Sequence, residues 1–273
     1  MKQVAPLRYG VIFKKAFCDV EIFKGFVKAV LDIDLEIDMV ETEKAFTPVI
    51  GNVDLRFDLY AQDKKNRIIV DIQHKKSSDH YDRFLHYHCA AILEQISKAE
   101  NYRPPLKVFT IVVLTSGDKH QKDVLTIDFD PKDLNGQGVN EIPHKIIYLC
   151  PKYANENTPS AYKEWLNAIQ DTLDGQVEES NYNESLIQKI FDAIENDLIS
   201  PTERARMFEE FNDEEEKQTA FAEGIEKGVE KGRLEGKKAK ALEIAKGMLA
   251  KGLDLETIAE LTSLTRDEID RLI

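Results

Sequence analysis

Two acidic positions at one end of a single β-hairpin constrain this chain more than any other feature. Residues Val53-Asp-Leu-Arg-Phe-Asp-Leu-Tyr-Ala61 are followed by a polar stretch, Gln62-Asp-Lys-Lys-Asn66, and then by Arg67-Ile-Ile-Val-Asp-Ile-Gln73. β-Branched and aromatic flanks around a polar centre predict two antiparallel strands. Asp58 and Asp71 then stand opposite one another, and carboxylates facing across a ladder repel. A hard divalent cation such as Mg²⁺ relieves that repulsion, because it accepts one or two carboxylates together with waters and phosphate oxygens. Alternation predicts Asp54, Arg56 and Asp58 on one strand face, with Val53, Leu55, Phe57 and Leu59 on the other. On the second strand it groups Arg67, Ile69, Asp71 and Gln73 against Ile68, Val70 and Ile72. Asp71 therefore shares a face with the apolar Ile69, and a buried carboxylate is costly unless paired or metal-bound. Spacing alone also fits an ordinary solvated face with surface acids, because Asp-x-Gln is short and common.

Other stretches occur around the hairpin in a fixed order. Tyr9-Gly-Val-Ile-Phe-Lys-Lys-Ala-Phe17 contains a Phe-Lys-x-x-Phe pattern, and Arg83-Phe-Leu-His-Tyr87 follows the hairpin, then Gln95 and Tyr102. The tail carries Glu223-Gly-Ile-Glu-Lys-Gly-Val-Glu-Lys-Gly232. Together they resemble the Rpn family of recombination-promoting nucleases, also described as PD-(D/E)xK nuclease family transposases, over residues 8–150 and 200–273. The resemblance implies an α/β fold with a restriction-endonuclease-like core, a mixed central sheet flanked by helices, and an α-helical C-terminal extension. It implies a DNA endonuclease dependent on Mg²⁺ (or Mn²⁺), tied to recombination or transposition. Asp58 and Asp71 would hold the metal, with the Ile72 carbonyl as a further ligand. The metal would activate a water and stabilise charge on the scissile phosphate, and Gln73 would orient that water. Arg83 and Tyr87, four apart on a helix, share a face that the resemblance sets over the active-site edge. There Arg83 would clamp a phosphate; from spacing alone it pairs equally well with Asp79 or Asp82. Gln95 and Tyr102 have no chemical role that spacing supplies.

Two departures stand out. Asp71 occupies a position that is often Glu, and Gln73 occupies the signature Lys position. Gln is common there in the family but carries no charge, so either the metal acts alone or Lys75 or Lys76 substitutes. Two alternatives stay open: a catalytically inactive nuclease-fold scaffold that self-associates through its tail, and a DNA-binding regulator acting through the C-terminal helices.

Composition narrows the setting. The chain has 273 residues and no apolar run of about 20, so no membrane span is expected. Its start lacks a secretory pattern. Cys18, Cys89 and Cys150 are widely spaced, and they read as buried free thiols of a cytoplasmic protein. No zinc-type spacing joins them to histidine, and His86 and His88 read as packed or solvent-facing. A net charge of −13 opposes tight DNA binding. The acidic run from Glu209 to Glu216 is expected outside the catalytic core, while Lys64, Lys65, Arg67, Lys75, Lys76 and Arg83 surround the hairpin. Weak or transient binding to DNA follows.

Periodicity predicts a helix over residues 11–31, a short strand from Ile37 to Val40, and a helix over 79–99. It predicts strands Lys107–Leu114, Val124–Phe129 and Lys145–Leu149, the first fully buried. Helices are expected at Ser160–Leu173, bearing Trp165, at Leu186–Ile199, and from Pro201 onward. The expected domains are a nuclease-like core (1–153), a helical extension (154–213), a Gly/charged linker or helix (214–238) and a small helical module (239–273). Gly224, Gly228, Gly232 and Gly236 recur every four residues; each costs a helix about 1 kcal/mol against Ala. They fit either a semi-flexible linker or a helix built for close packing. Beyond them come an amphipathic helix from Ala239 to Lys251, a Gly252 cap, a helix from Leu255 to Leu261, and a Thr265–Glu268 capping box opening a last helix to Ile273. Two short helices suggest a helix-turn-helix, but acidic Asp267, Glu268 and Asp270 favour an interaction or packing module. Residues 217–273 are expected to project from the core or to pack on a second copy of the chain.

Overall fold

Mostly apolar runs separated by polar turns give this chain a sheet with both faces covered. The computed structural model describes residues 1–46, 55–74, 80–95 and 102–272. In chain order its elements are β1 (Lys2–Gln3), α1 (Gly10–Phe17), α2 (Val20–Leu31), β2 (Glu41–Phe46), β3 (Leu55–Gln62), β4 (Asn66–Gln73), α3 (His80–Leu93), β5 (Lys107–Leu114), β6 (Val124–Asp128) and β7 (Lys145–Leu149). Then follow α4 (Ser160–Asp171), β8 (Gln176–Val177), α5 (Ser185–Ala193), α6 (Pro201–Ala250), α7 (Leu255–Thr262) and α8 (Arg266–Asp270). The chain divides into two compact units, Met1–Glu210 and Phe211–Ile273.

In the first unit six strands form one mixed sheet in the order β2-β3-β4-β5-β7-β6. β4, β5 and β7 run parallel to one another, and β2, β3 and β6 are antiparallel to their neighbours. The crossover from β4 to β5 carries α3, as parallel neighbours require. One sheet face, with Ile68, Val70, Ile111 and Leu149, packs against α1, α2, α4 and α5 through Phe13, Phe26, Trp165 and Phe191. The other face packs against α3: Phe57, Ile69 and Val108 meet Ala91, and Val112 and Tyr148 meet Phe84.

Several boundaries differ from expectation. The predicted helix over 11–31 is two helices, because the Asp19 side chain accepts hydrogen bonds from the Glu21 and Ile22 amides and caps α2. The strand expected at Ile37–Val40 is Glu41–Phe46 instead. Leu35, Ile37 and Val40 are buried in irregular chain, whereas β2 is a sheet edge and tolerates polar residues. No boundary falls at residue 153, since α4 and α5 complete the main core. Cys150 is buried, but Cys18 and Cys89 are exposed, one at the end of α1 and one on the open side of α3.

The second unit has its own small core of Ala245, Ile258, Leu264 and Ile269. The glycine segment is helical within α6. Gly252 ends that helix region with a φ of +76°, a conformation that suits glycine. The Thr265–Glu268 capping box is present at the start of α8.

Candidate active site

The site begins with a fault in strand alternation. Leu55 and Phe57 pack with Tyr60 on the α3 side, whereas Leu59 and Ala61 face the opposite core. The alternation of β3 therefore shifts at Asp58, which corrects the grouping of Leu59 with Leu55 and Phe57. Thr42 pairs with Leu59 and Lys44 with Phe57, so Glu43 stands across from Asp58. Glu43 has a φ of +55°, a costly backbone state for a residue other than glycine.

The β3–β4 ladder pairs Gln62 with Arg67 through Leu59 with Val70. At the next position side chains take over its hydrogen bonds. The Asp58 amide donates to Asp71 Oδ1 at 3.3 Å, and the Ile72 amide donates to Asp58 Oδ2 at 3.0 Å. Each carboxylate thus accepts from the backbone of the opposite strand, and the two acids converge at one point of the sheet.

Burial dominates the electrostatics. Asp71 is only 4% exposed, and Oδ2 of its carboxylate has no hydrogen-bond partner among the described residues. Burial pushes the Asp71 carboxyl well above the usual range, and the adjacent Asp58 charge pushes it further. Burial also raises Asp58, against the opposing pull of the Ile72 amide and the Lys14 ammonium. Lys14 Nζ lies 3.6 Å from Asp58 Oδ1 and also pairs with Glu43. Glu210 accepts from the Gly10 amide at 2.9 Å and the Val11 amide at 3.4 Å, at the start of α1. Its carboxyl is raised by burial, with the Asp58 charge adding to the rise. This corrects the placement of the whole Glu209–Glu216 run outside the core.

Sequence reasoning missed Lys14, Glu43 and Glu210. Lys14 had a signal, since it lies inside the Phe-Lys-x-x-Phe pattern whose two rings stack at 4.3 Å in the core. Glu43 and Glu210 had none, for each depends on a tertiary neighbour far away in the chain.

The remaining residues fall as follows. Gln73 is half-buried, two positions beyond Asp71 on β4, and Ile72 packs its side chain against the main core. Arg83 is exposed, with its guanidinium 5.3 Å from both the Phe84 and Tyr87 ring centres. Its charge draws the Asp71 carboxyl down, the direction a neighbouring cation imposes. Tyr87 is half-buried and edge-on to Phe57. Lys75, Lys76 and Asp79 lie outside the described residues. Arg67 does not belong to a basic surface: it is buried, paired with Glu94 at 2.7 Å and bonded to Gln62 and the Ala91 carbonyl. Gln95 ties the end of α3 to β5 by accepting from the Leu106 amide at 3.0 Å. His86 is exposed, and His88 is buried.

Among the described residues no three Asp, Glu, His or Cys side chains form a cluster able to hold a metal ion. The Asp58–Asp71 pair nonetheless fits a hard cation. It offers carboxylate oxygens only, one of them buried without a partner, and Mg²⁺ takes most of its shell from water and phosphate.

A family model described as PD-(D/E)XK nuclease family transposase matches residues 11–223. A second, described as Rpn/YhgA-like nuclease family, C-terminal HTH domain, matches residues 238–273. That match favours the helix-turn-helix reading of the tail over the packing module. No curated protein and no solved structure matches the chain.

Proposed function

Because the chain belongs to the PD-(D/E)XK nuclease family transposases, we propose that it is a DNA endonuclease that requires Mg²⁺ or Mn²⁺ and serves recombination or transposition. The observation that carries this reading is the convergence of Asp58 and Asp71, with one Asp71 oxygen buried and without a partner among the described residues. A structural acid pair at this depth would be expected to find a donor for that oxygen. Asp58 and Asp71 hold the ion, and the Ile72 carbonyl is available as a third ligand. When bound, the ion supplies Lewis-acid stabilisation of charge on the phosphate.

The protein's own groups do the rest. Gln73 orients the attacking water through its side-chain amide. The water oxygen bonds to phosphorus as the bond to the leaving ester oxygen breaks; the water loses a proton to solvent and the leaving oxygen gains one. Arg83 holds a neighbouring phosphate, and its guanidinium lies 5.3 Å from the Phe84 and Tyr87 ring centres, which hold it near the site. The C-terminal unit adds DNA affinity through α7 and α8, and the tail joins copies of the chain. Free cysteines are consistent with a reducing compartment and support a cytoplasmic setting.

The test is nicking of supercoiled plasmid with added Mg²⁺ or Mn²⁺, comparing wild type with Asp71→Asn. Asp71→Asn keeps shape and removes charge, so nicking should fall by orders of magnitude while the melting temperature holds or rises. Equal nicking by both proteins would show a contaminant and leave the inactive scaffold as the better account. The neutral Gln73 in the signature Lys position favours that second reading.

A further inference from the structure

Gln73 is a neutral amide, so a charge like the one the signature Lys brings to the phosphate, where the metal does not act alone, has to come from another residue. Lys14 reaches the acid pair from a different element. Its ammonium lies 3.6 Å from Asp58 Oδ1, and its side chain is only 18% exposed. Its place is built from below. Phe13 and Phe17 are buried and stacked, which fixes the rotation of α1 about its axis. Glu210 holds the first two amides of the same helix. Gly10 sits beside both groups: a Cβ built there would touch Glu210 Oε1 at 3.7 Å and Lys14 Nζ at 3.9 Å, ordinary contact distances.

We propose that Lys14 supplies from α1 the positive charge that Gln73 cannot, donating a hydrogen bond to a non-bridging oxygen of the phosphate set over Asp58 and Asp71. This assignment rests on the nuclease reading above. An ammonium suits the task because it is a compact point charge with three donors on a flexible stem. Adjacent Lys15 does not serve, since Glu203 at 3.0 Å and the Leu198 carbonyl at 3.2 Å hold its Nζ, whereas the carboxylates that hold Lys14 are Asp58 and, across from it, Glu43, both at the site. Arg83 is a second cation, among the described residues, whose charge reaches Asp71. Its exposed guanidinium beside the Phe84 and Tyr87 rings suits holding DNA, so the two cations divide rate from affinity.

The experiment uses the full chain and three measurements: single-turnover plasmid nicking in Mn²⁺, plasmid affinity in Ca²⁺, and Mn²⁺ binding by titration calorimetry. Lys14→Met should slow nicking by about two orders of magnitude, the usual loss for a group that stabilises developing charge. Plasmid affinity and melting temperature should change little. Lys14→Arg should recover part of the rate, and Lys15→Met should match wild type. Mn²⁺ should bind Lys14→Met several-fold more tightly, because an ammonium beside Asp58 repels a dication. Nicking by Lys14→Met at the wild-type rate would overturn the assignment, as would a slow rate accompanied by an equally large fall in melting temperature. If wild type fails to nick DNA in either metal, the nuclease reading falls by itself. Calorimetry then decides the place of Lys14: tighter Mn²⁺ binding by Lys14→Met supports it at the ion, and unchanged binding overturns it.

Discussion

Two buried titratable side chains, His88 on α3 and Asp71 on β4, are shifted by burial in opposite directions. His88 is fully buried, yet its Nδ1 lies 2.8 Å from the Thr110 hydroxyl and its ring stacks on Phe129 at 5.1 Å. Burial, and secondarily the nearby His144, pull its pKa down to about 3. Asp71 is buried too, and among the described residues its Oδ2 has no donor, just as His88 Nε2 has no partner. Burial favours the neutral form of each group, which moves an acid up and an imidazole down. His88 therefore gives a pH prediction. An unfolded histidine titrates near 6.5, so below that pH the unfolded chain takes a proton that the folded chain refuses. The stability tied to a neutral His88 is complete above about pH 6.5 and is lost progressively as pH falls toward 3. His144, also lowered by burial, adds to the same slope. Urea unfolding of wild type and His88→Phe at several pH values measures it. The wild-type curve should fall more steeply between pH 6.5 and 4, and parallel curves would sink the idea. Spacing left His86 and His88 as packed or solvent-facing without deciding between the two; that His88 is packed inside was not legible, since histidine holds two of the four positions of the buried stripe of α3, His80, Phe84, His88 and Ala91.

At the scale of elements, β5 and β7 were legible because continuous apolar runs mark strands covered on both faces. β2 was not, because Glu41–Phe46 is polar and only its pairing with β3 makes it a strand. The shift at Asp58 was hidden for a related reason: a strict two-residue period assumes an unbroken ladder, and Glu43 breaks this one from the neighbouring strand. Asp58 and Asp71 still converge, as the hairpin predicted, because the shift occurs at Asp58 itself. Helix α1 then matters beyond its length of eight residues. Its N-cap Tyr9 makes no side-chain capping bond, and Glu210 from α6 accepts from its first two amides instead. A carboxylate in that position also meets the positive end of the helix dipole. Glu210→Ala should therefore cost about 1 kcal/mol, the usual worth of a cap, and lower the melting temperature by roughly 2–4 °C in a unit of this size. Glu210→Gln should recover part of the loss by keeping one acceptor. No shift in Glu210→Ala would mean that water replaces the carboxylate without cost.

At the scale of the whole molecule, each unit has its own hydrophobic core, and everything gathered at the acid pair belongs to the first. Lys14, Glu43, Asp58, Asp71 and Glu210 all precede Phe211. The order of motifs made this core legible, whereas the second unit was read only in part: its caps and short helices followed from local signals, but its use did not. Acidic α8 argued against groove reading, yet Glu268 is occupied by Lys238 and by the capping box, so its charge is partly neutralised at home. Along α6, Phe221, Ile225 and Val229 are exposed at four-residue spacing beside Gly224, Gly228 and Gly232, where an added Cβ would meet nothing. The Lys227–Glu223 and Lys231–Glu235 pairs on this helix are exposed and contribute little. Such an apolar row calls for a cover, and a second copy of the same row suits it, since small residues permit close approach of two backbones. Truncation after Asp213 keeps Glu210 and the whole first core. The shortened chain should fold and melt as the first unit does in the full chain, nick plasmid when saturated, bind it more weakly, and scatter light as a smaller species. Unfolding of the truncated chain would mean that the tail stabilises the first unit. If both chains scatter as monomers while only the truncated one loses DNA affinity, α7 and α8 serve DNA alone and the glycine row does not join copies.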